Sequence, residues 1–479
     1  MTSPFKSYRA SLLTDLYQLT MAYGYWQQGL QERQAVFHLF FRKNPFKGPF
    51  AVCSGLESAI EYLQAFEFSA ADVQYLGRLK GSDGQLLFNE SFLNYLQRLS
   101  FSCQVSAIPE GTVVFPHSPL VRVEGPLLQA QLIETALLTL VNFSTLIATK
   151  AARIVRAAQG DAVLEFGLRR AQGIDGGLSA SRAAYIGGCA ATSNVLAGAR
   201  WGIPVKGTHA HSWVMAFEQE QAAFDAYAEA LPNNCIFLVD TYDTLEGVKK
   251  AIKTGLALRE KGYEMNGIRL DSGDLAQLSR AARALLDEAG FKEAKIFASN
   301  DLEEEKISAL KADGAAIDVW GVGTKLATSY DQPALGGVYK LAALKDADGQ
   351  WQDKIKLSEN PIKTSIPGKL QCRRFYEGDQ PVGDLIWDEK TGLSAPFQGI
   401  QLANRKVLEW NDQKQEDLLQ VIFEKGQLVY QNPNIKAIRK YCIQQQARFE
   451  HLYHEPPYPL ALESGLFERR QGLIERLNG

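Results

Sequence analysis

Between residues 162 and 322, six short apolar runs alternate with longer amphipathic ones. The runs fall at 162–166, 203–206, 235–240, 266–270, 294–298 and 317–321. Helical patterns lie between them, such as Thr244 to Glu260, Leu275 to Glu288 and Leu302 to Ala312. A repeat of roughly 30 residues is the size of one strand–helix–strand unit. Units of this kind in series lead to a parallel α/β barrel or a doubly wound sheet. The barrel is the stronger expectation, because no glycine-rich dinucleotide turn follows the first run. A single helix is expected from about Gly177 to Ala199.

The flanks read differently. Residues 11–28 suggest a helix capped by Ser11 or Thr14, with Leu16, Leu19 and Tyr23 on its apolar face. A strand is expected at 35–42 and helices near 55–66 and 90–98. From Cys103 to Glu124, short strands with Pro/Gly punctuation suggest a small β-rich module. A long helix then runs from Leu127 to about Ala158. Its polar residues make it a core helix rather than a membrane span. Beyond 350 come strand-like segments, Lys369 to Tyr376 and Val382 to Trp387, and a helix, Asn434 to His451. A Pro-rich turn, Glu455 to Pro459, and an amphipathic tail close the chain. This half has too little continuous core to stand alone. The expected division is 1–145 as an α+β domain, 146–345 as the barrel, and 346–479 packing back on the first, which makes that domain discontinuous.

Charge excludes one class of partner. Lys plus Arg number 51 and Asp plus Glu 54, a net charge of -3 over 479 residues. Nothing there attracts nucleic acid or a membrane through bulk charge. Six scattered cysteines show no metal-binding spacing and read as reduced cytoplasmic thiols. The N-terminus lacks the basic and apolar regions of a signal peptide.

Polar residues recur where the apolar runs end. Arg169 and Arg170 follow the first; Thr208, His209, His211 and Ser212 the second; Asp240, Thr241 and Asp243 the third. Arg269, Asp271, Ser272 and Asp274 follow the fourth, Ser299, Asn300 and Asp301 the fifth, and Gly321, Gly323, Thr324 and Lys325 the last. In a parallel barrel these ends converge on one rim. Ser299-Asn300 and the Gly-Val-Gly-Thr turn offer N–H groups and hydroxyls at helix starts, where phosphates bind. Two arginines and the carboxylates of Asp271 and Asp274 suit a phosphorylated, magnesium-chelating substrate. A P-loop is excluded, since GxxxxGK[ST] is absent. Taken singly, each feature has a plainer reading: Asp271 and Asp274 as helix caps, Arg169-Arg170 as a solvated pair, Tyr17 as core. Their joint recurrence at strand ends shifts the balance.

The chain resembles the nicotinate phosphoribosyltransferases over nearly its whole length. The strings that carry the likeness are TDLYQLTM (14–21), FRKNPF (41–46), SGLE (54–57), IATKAARI (147–154), EFGLRRAQG (165–173), GTHAHSWV (207–214), VDTYDT (239–244), IRLDSGDL (268–275) and WGVGT (320–324). The resemblance implies an irregular α/β barrel with a β-rich domain, in a cytoplasmic homodimer whose sites use both chains. It implies transfer of phosphoribose from 5-phosphoribosyl 1-pyrophosphate to nicotinate in NAD biosynthesis, with Mg²⁺ and with ATP as co-substrate. By the same resemblance His211 is phosphorylated from ATP. Tyr17 of the neighbouring subunit and Phe166 sandwich the pyridine ring, and Arg269 and Thr208 hold its carboxylate. Thr324, Gly323, Ser299 and Asn300 hold the 5′-phosphate, and Arg169 meets phosphate or pyrophosphate oxygens. Asp271 contacts the ribose hydroxyls or the metal.

The nearest alternatives are acceptors of the same class, nicotinamide or quinolinate. A nicotinamide enzyme would prefer a carboxylate where this chain has the neutral Ser193. A Schiff-base aldolase with Lys206 or Lys325 as nucleophile is the remote alternative.

Overall fold

The computed structural model describes residues 10–358, 363–411, 413–455 and 457–478. It divides into two compact units. Ile147–Pro333 form one, and residues up to Leu146 together with those from Ala334 form the other. The barrel segment therefore ends at 333, not 345. The reason is that Val338–Lys345 is a strand of the other unit, paired antiparallel with Gln34–Phe40 from Ala35↔Leu344 to Phe40↔Val338.

In the unit Ile147–Pro333, one sheet runs in the order Ala191–Thr192, Ala162–Glu165, Val319–Val322, Lys295–Ala298, Gly267–Leu270, Ile236–Leu238. Every neighbouring pair is parallel. Taken around a circle, this is the order of the chain. A lone parallel bridge from Thr192 to Val205 adds one more position beyond Ala191–Thr192. Only the seam between Val205 and Ile236–Leu238 has no ladder among the described residues. The sheet is an irregular α/β barrel with one such seam.

Two expectations are corrected here. The stretch 177–199 is not one helix but Ile174–Gly187, the two-residue strand Ala191–Thr192, and Val195–Trp201. Gly188 ends the first helix at φ +123, a conformation that side chains resist. The run 203–206 gives a bridge rather than a strand. Pro204 has no N–H to give a ladder, so only its carbonyl and the Lys206 N–H bond to Thr192, both at 3.0 Å. The helices Thr244–Glu260 and Leu275–Glu288 start where their caps put them, with Asp243 accepting from the Glu246 N–H and Asp274 from the Gln277 N–H.

The other unit is built from both ends of the chain. Its seven-stranded sheet places Gln34–Phe40 between Val338–Lys345 and Val121–Pro126, and brings Gln420–Glu424 against Gln104–Ala107. A second sheet carries Leu370–Glu377 and Gln380–Asp388. Arg374 and Asp384, both fully buried, pair through two hydrogen bonds of 2.8 Å, and Arg374 also donates to the Val113 carbonyl at 2.9 Å. Tyr458 donates to Asp384 at 2.9 Å, whereas one terminal nitrogen of Arg374 is buried without a hydrogen-bond partner and the Phe449 ring lies 4.9 Å from the guanidinium carbon. The long helix breaks at Ile133 into Leu127–Leu132 and Glu134–Ala157. The second piece is apolar and long enough to cross a bilayer by composition alone, yet 67% of its most apolar window is buried inside the protein. Helix Leu16–Gln27 begins after Asp15, not Ser11 or Thr14, and Asp15 accepts from the Thr135 hydroxyl instead of capping. Helix Ala70–Leu76, closed by a Ser69–Asp72 capping box, had no counterpart in the expected pattern. The turn expected at 455–459 includes Pro456, which lies outside the described residues.

Candidate active site

The polar residues gather at the ends of Gly267–Leu270, Lys295–Ala298 and Ile236–Leu238. Arg269 is the hub. Its Nε donates to the Ser299 hydroxyl at 2.9 Å, one terminal nitrogen to the Thr208 hydroxyl at 3.1 Å, and the other to Asp271 at 3.0 Å. A guanidinium has five N–H donors. Three are used, so one on each terminal nitrogen remains for a ligand. The Phe166 ring lies 5.6 Å from the guanidinium carbon. Gly321 makes room for that ring, because a Cβ there would sit 2.7 Å from it.

His211 is the first residue of a short helix, His211–Met215, and its side chain is half-exposed. Its Nδ1 lies 3.1 Å from the Thr241 hydroxyl. Its Nε2 faces two carboxylates, Asp271 at 3.8 Å and Asp240 at 3.9 Å. Asp240 is buried, and one of its oxygens accepts from the Asp271 N–H and the Ser272 hydroxyl, each at 2.7 Å. Its other oxygen, the one facing His211, is buried without a hydrogen-bond partner. Burial pushes the Asp271 carboxyl up, but the Ser299 hydroxyl and the Arg269 guanidinium outweigh it and hold the group below the usual carboxylate range.

This geometry revises the sequence reading in its carboxylate pair and at Ser299. The carboxylate that stands beside Asp271 is Asp240; Asp274, expected to pair with Asp271 or to cap a helix, is a cap. Asp240 and Thr241 were visible as strand-end residues, but nothing in the sequence separated them from the capping Asp243. Ser299 is committed: its hydroxyl bridges Arg269 and Asp271 and its N–H donates to the Leu270 carbonyl, which leaves neither for a phosphate. Asn300 and Asp301 follow with φ of 106 and 46, a strained turn closed by Lys306 on the Asn300 carbonyl at 2.6 Å. Gly323 caps the four-residue helix Thr324–Ala327. Arg169 and Arg170 lie exposed in a turn after Glu165, with no ion pair among the described residues. Ser193 donates its N–H to the Glu165 carbonyl at 2.9 Å. Tyr17 belongs to the other unit, half-exposed in the first turn of Leu16–Gln27. Lys325 pairs with Glu303 at 3.1 Å and Asp331 at 3.7 Å. Burial pulls its ammonium down, yet these carboxylates raise it, opposite to what a Schiff-base nucleophile needs.

His209 stitches the open seam. It is buried, and its Nε2 accepts from the Leu238 N–H at 3.2 Å, replacing a missing ladder bond. Tyr227 lies edge-on at 4.9 Å. Burial lowers its pKa to about 4. His117 is lowered likewise to about 4, and His38, fully buried, well below its ordinary value. An unfolded histidine titrates near 6.5, so between there and about 4 the unfolded chain binds more protons. Stability should fall as pH drops through that window, by up to about 2 kcal/mol for His209 between pH 7 and 5. Thermal melts across that range check this, and a flat profile would mean the imidazoles are charged in the fold.

Comparison with known proteins gives one family. Residues 12–142 match the nicotinate phosphoribosyltransferase (NAPRTase) N-terminal domain, and 369–468 the nicotinate phosphoribosyltransferase C-terminal domain. Nicotinate phosphoribosyltransferase of Bacillus subtilis (strain 168) is 49% identical over 91% of this chain and 89% of its own length. The Dictyostelium discoideum protein of the same name is 40% identical over 98% of this chain and 89% of its own. The crystal structure of human nicotinic acid phosphoribosyltransferase superposes with a TM-score of 0.83 at 34% identity, covering 96% of this chain and all of that one.

Proposed function

The chain belongs to the nicotinate phosphoribosyltransferase family, and we propose that it couples phosphoribosyl transfer to ATP hydrolysis through His211. The transfer reaction places the enzyme in NAD biosynthesis: nicotinate displaces pyrophosphate from 5-phosphoribosyl 1-pyrophosphate. The observation that carries the coupling is the setting of His211, held by Thr241 on one nitrogen and facing Asp240 and Asp271 with the other. A proton on Nε2 is stabilised by the two carboxylates. That leaves the lone pair on Nδ1, beside the Thr241 hydroxyl, to attack the terminal phosphorus of ATP as ADP departs.

The acceptor needs no general base, because its ring nitrogen carries no proton. Positioning therefore supplies most of the rate. The free N–H groups of Arg269 meet the nicotinate carboxylate, Thr208 flanks it, and Phe166 stacks on the ring. Tyr17 of a second copy covers the other face, in a homodimer with shared sites. Asn300, Gly323 and Thr324 receive the 5′-phosphate, and Arg169 the pyrophosphate. The buried oxygen of Asp240 that lacks a partner, with Asp271 beside it, fits a hard divalent cation. Asp240 and Asp271 would hold magnesium there, and the ion would supply positive charge for the departing pyrophosphate. The six cysteines, all buried thiols, suit a reducing cytoplasm. Incubation with nicotinate, the pyrophosphorylated ribose and Mg²⁺ should release pyrophosphate, faster with ATP and with one ADP formed per turnover. Release that ATP neither speeds nor accompanies would remove the coupling from this reading.

A further inference from the structure

Barrel interiors are ordinarily packed with branched side chains. This one is hollow, with a cavity of about 820 Å³ along its axis. Side chains of alternate residues face it: Ala162, Leu164 and Phe166; Pro204, Lys206 and Thr208; Asn234 and Ile236; Lys295 and Phe297. Alternation of this kind identifies the inner face of each strand. Alanine and proline at these positions leave the space open. At the floor the lining includes the exposed residues Asn233 and Lys292. At the other end Thr208 reaches Arg269. One ring with a carboxylate fills only a small part of this volume.

Two of the basic groups lining the cavity, Arg259 and Lys295, carry a counter-ion. Arg259 is held by Glu264 at 2.7 Å, Lys295 faces Asp318 at 3.4 Å, and Lys292 and Glu293 sit side by side at the exposed floor. Arg269 carries Asp271. Lys206, solvent-exposed beside the open seam, lines the cavity with no ion pair or side-chain hydrogen bond among the described residues. It stands two residues before Thr208, about 6.6 Å along the strand direction. Leu164, Phe166, Ile236 and Phe297 give the same cavity an apolar lining. An unpaired cation at the edge of an apolar-lined cavity suits a small aromatic monoanion.

We propose that the hollow barrel is a staging site for the acceptor acid, entered from the floor, with Lys206 as the partner of its carboxylate. The acid then moves one layer up to Arg269 and Phe166 while the phosphoribosyl donor covers the rim. This rests on nicotinate as acceptor, which turnover by the unaltered enzyme checks separately. Two variants of the full-length chain test the rest. Lys206→Met keeps the volume and removes the charge. It should raise the Michaelis constant for nicotinate about tenfold, the scale of one charged hydrogen bond, and weaken inhibition by benzoate in parallel. The constant for the donor and the turnover number should stay within about twofold. Ala162→Phe plugs the floor and should lower kcat/KM for nicotinate about tenfold, leaving the donor constant alone. Unchanged nicotinate and benzoate constants in Lys206→Met would overturn the staging site. So would an equal rise for both substrates. A plug without effect in a variant that melts like the parent would overturn entry from the floor.

Discussion

Arg269→Ala should raise the Michaelis constant for nicotinate about a hundredfold, close to 2.7 kcal/mol, and change that of the phosphoribosyl donor far less. The guanidinium is already anchored by Ser299, Thr208 and Asp271, and its two free N–H groups both lie on the terminal nitrogens. A planar carboxylate accepts such a pair side by side. Arg269→Lys keeps the charge but loses the fork, so it should recover only part of the affinity. The donor constant will not be untouched. Without Arg269 one of the three groups that lower Asp271 is gone, so the opposing push of burial counts for more and its carboxyl moves up. Activity of the alanine variant should therefore be lost at higher pH than in the parent as the medium is acidified. Steady-state kinetics with each substrate varied in turn, between pH 5 and 8, separate the two effects. Equal increases in both constants would remove Arg269 from the acceptor site.

How much of this site was legible in the sequence depended on what each residue does locally. Helices Thr244–Glu260 and Leu275–Glu288 were readable to the residue, because an acidic cap and an amphipathic repeat mark both ends. Arg269, Thr208, Phe166 and Asp271 were named from a strand-end position and a family likeness, and the fold brings all four together. The two-residue strand Ala191–Thr192 was not readable, since two residues carry no period and its neighbours are helical. The division of labour among the aspartates was hidden too. Asp240, Asp243, Asp271 and Asp274 all follow strands, and only the turn geometry decides that Asp243 and Asp274 spend their oxygens on helix N–H groups. Ser299 was misjudged for a similar reason. Its neighbours across the barrel, Arg269 and Asp271, are close in space through the parallel pairing of Phe297 with Arg269, not through any local pattern.

His211→Asn should abolish the acid-labile phosphoprotein formed with labelled ATP, together with the ATPase and the stimulation by ATP, while slow ATP-independent synthesis persists. Asparagine has no nucleophilic ring nitrogen, yet the bond between ribose and pyrophosphate breaks without help from this imidazole. His209→Asn should retain the label, because His209 is buried against Tyr227 and spends its Nε2 on Leu238. It should instead lower the melting temperature. The same His211→Asn chain reports on the dimer. Tyr17 is half-exposed at the start of its helix, with the Gln18 and Thr135 side chains beside its hydroxyl. If a second copy supplies it, a hybrid of a Tyr17→Ala chain and a His211→Asn chain contains one site with both residues intact. That hybrid should recover up to about half of the parent's ATP-stimulated activity, where either homodimer has almost none. Label on His209 instead of His211 would overturn the assignment of the phosphate acceptor. No recovery in verified hybrids would confine Tyr17 to its own subunit.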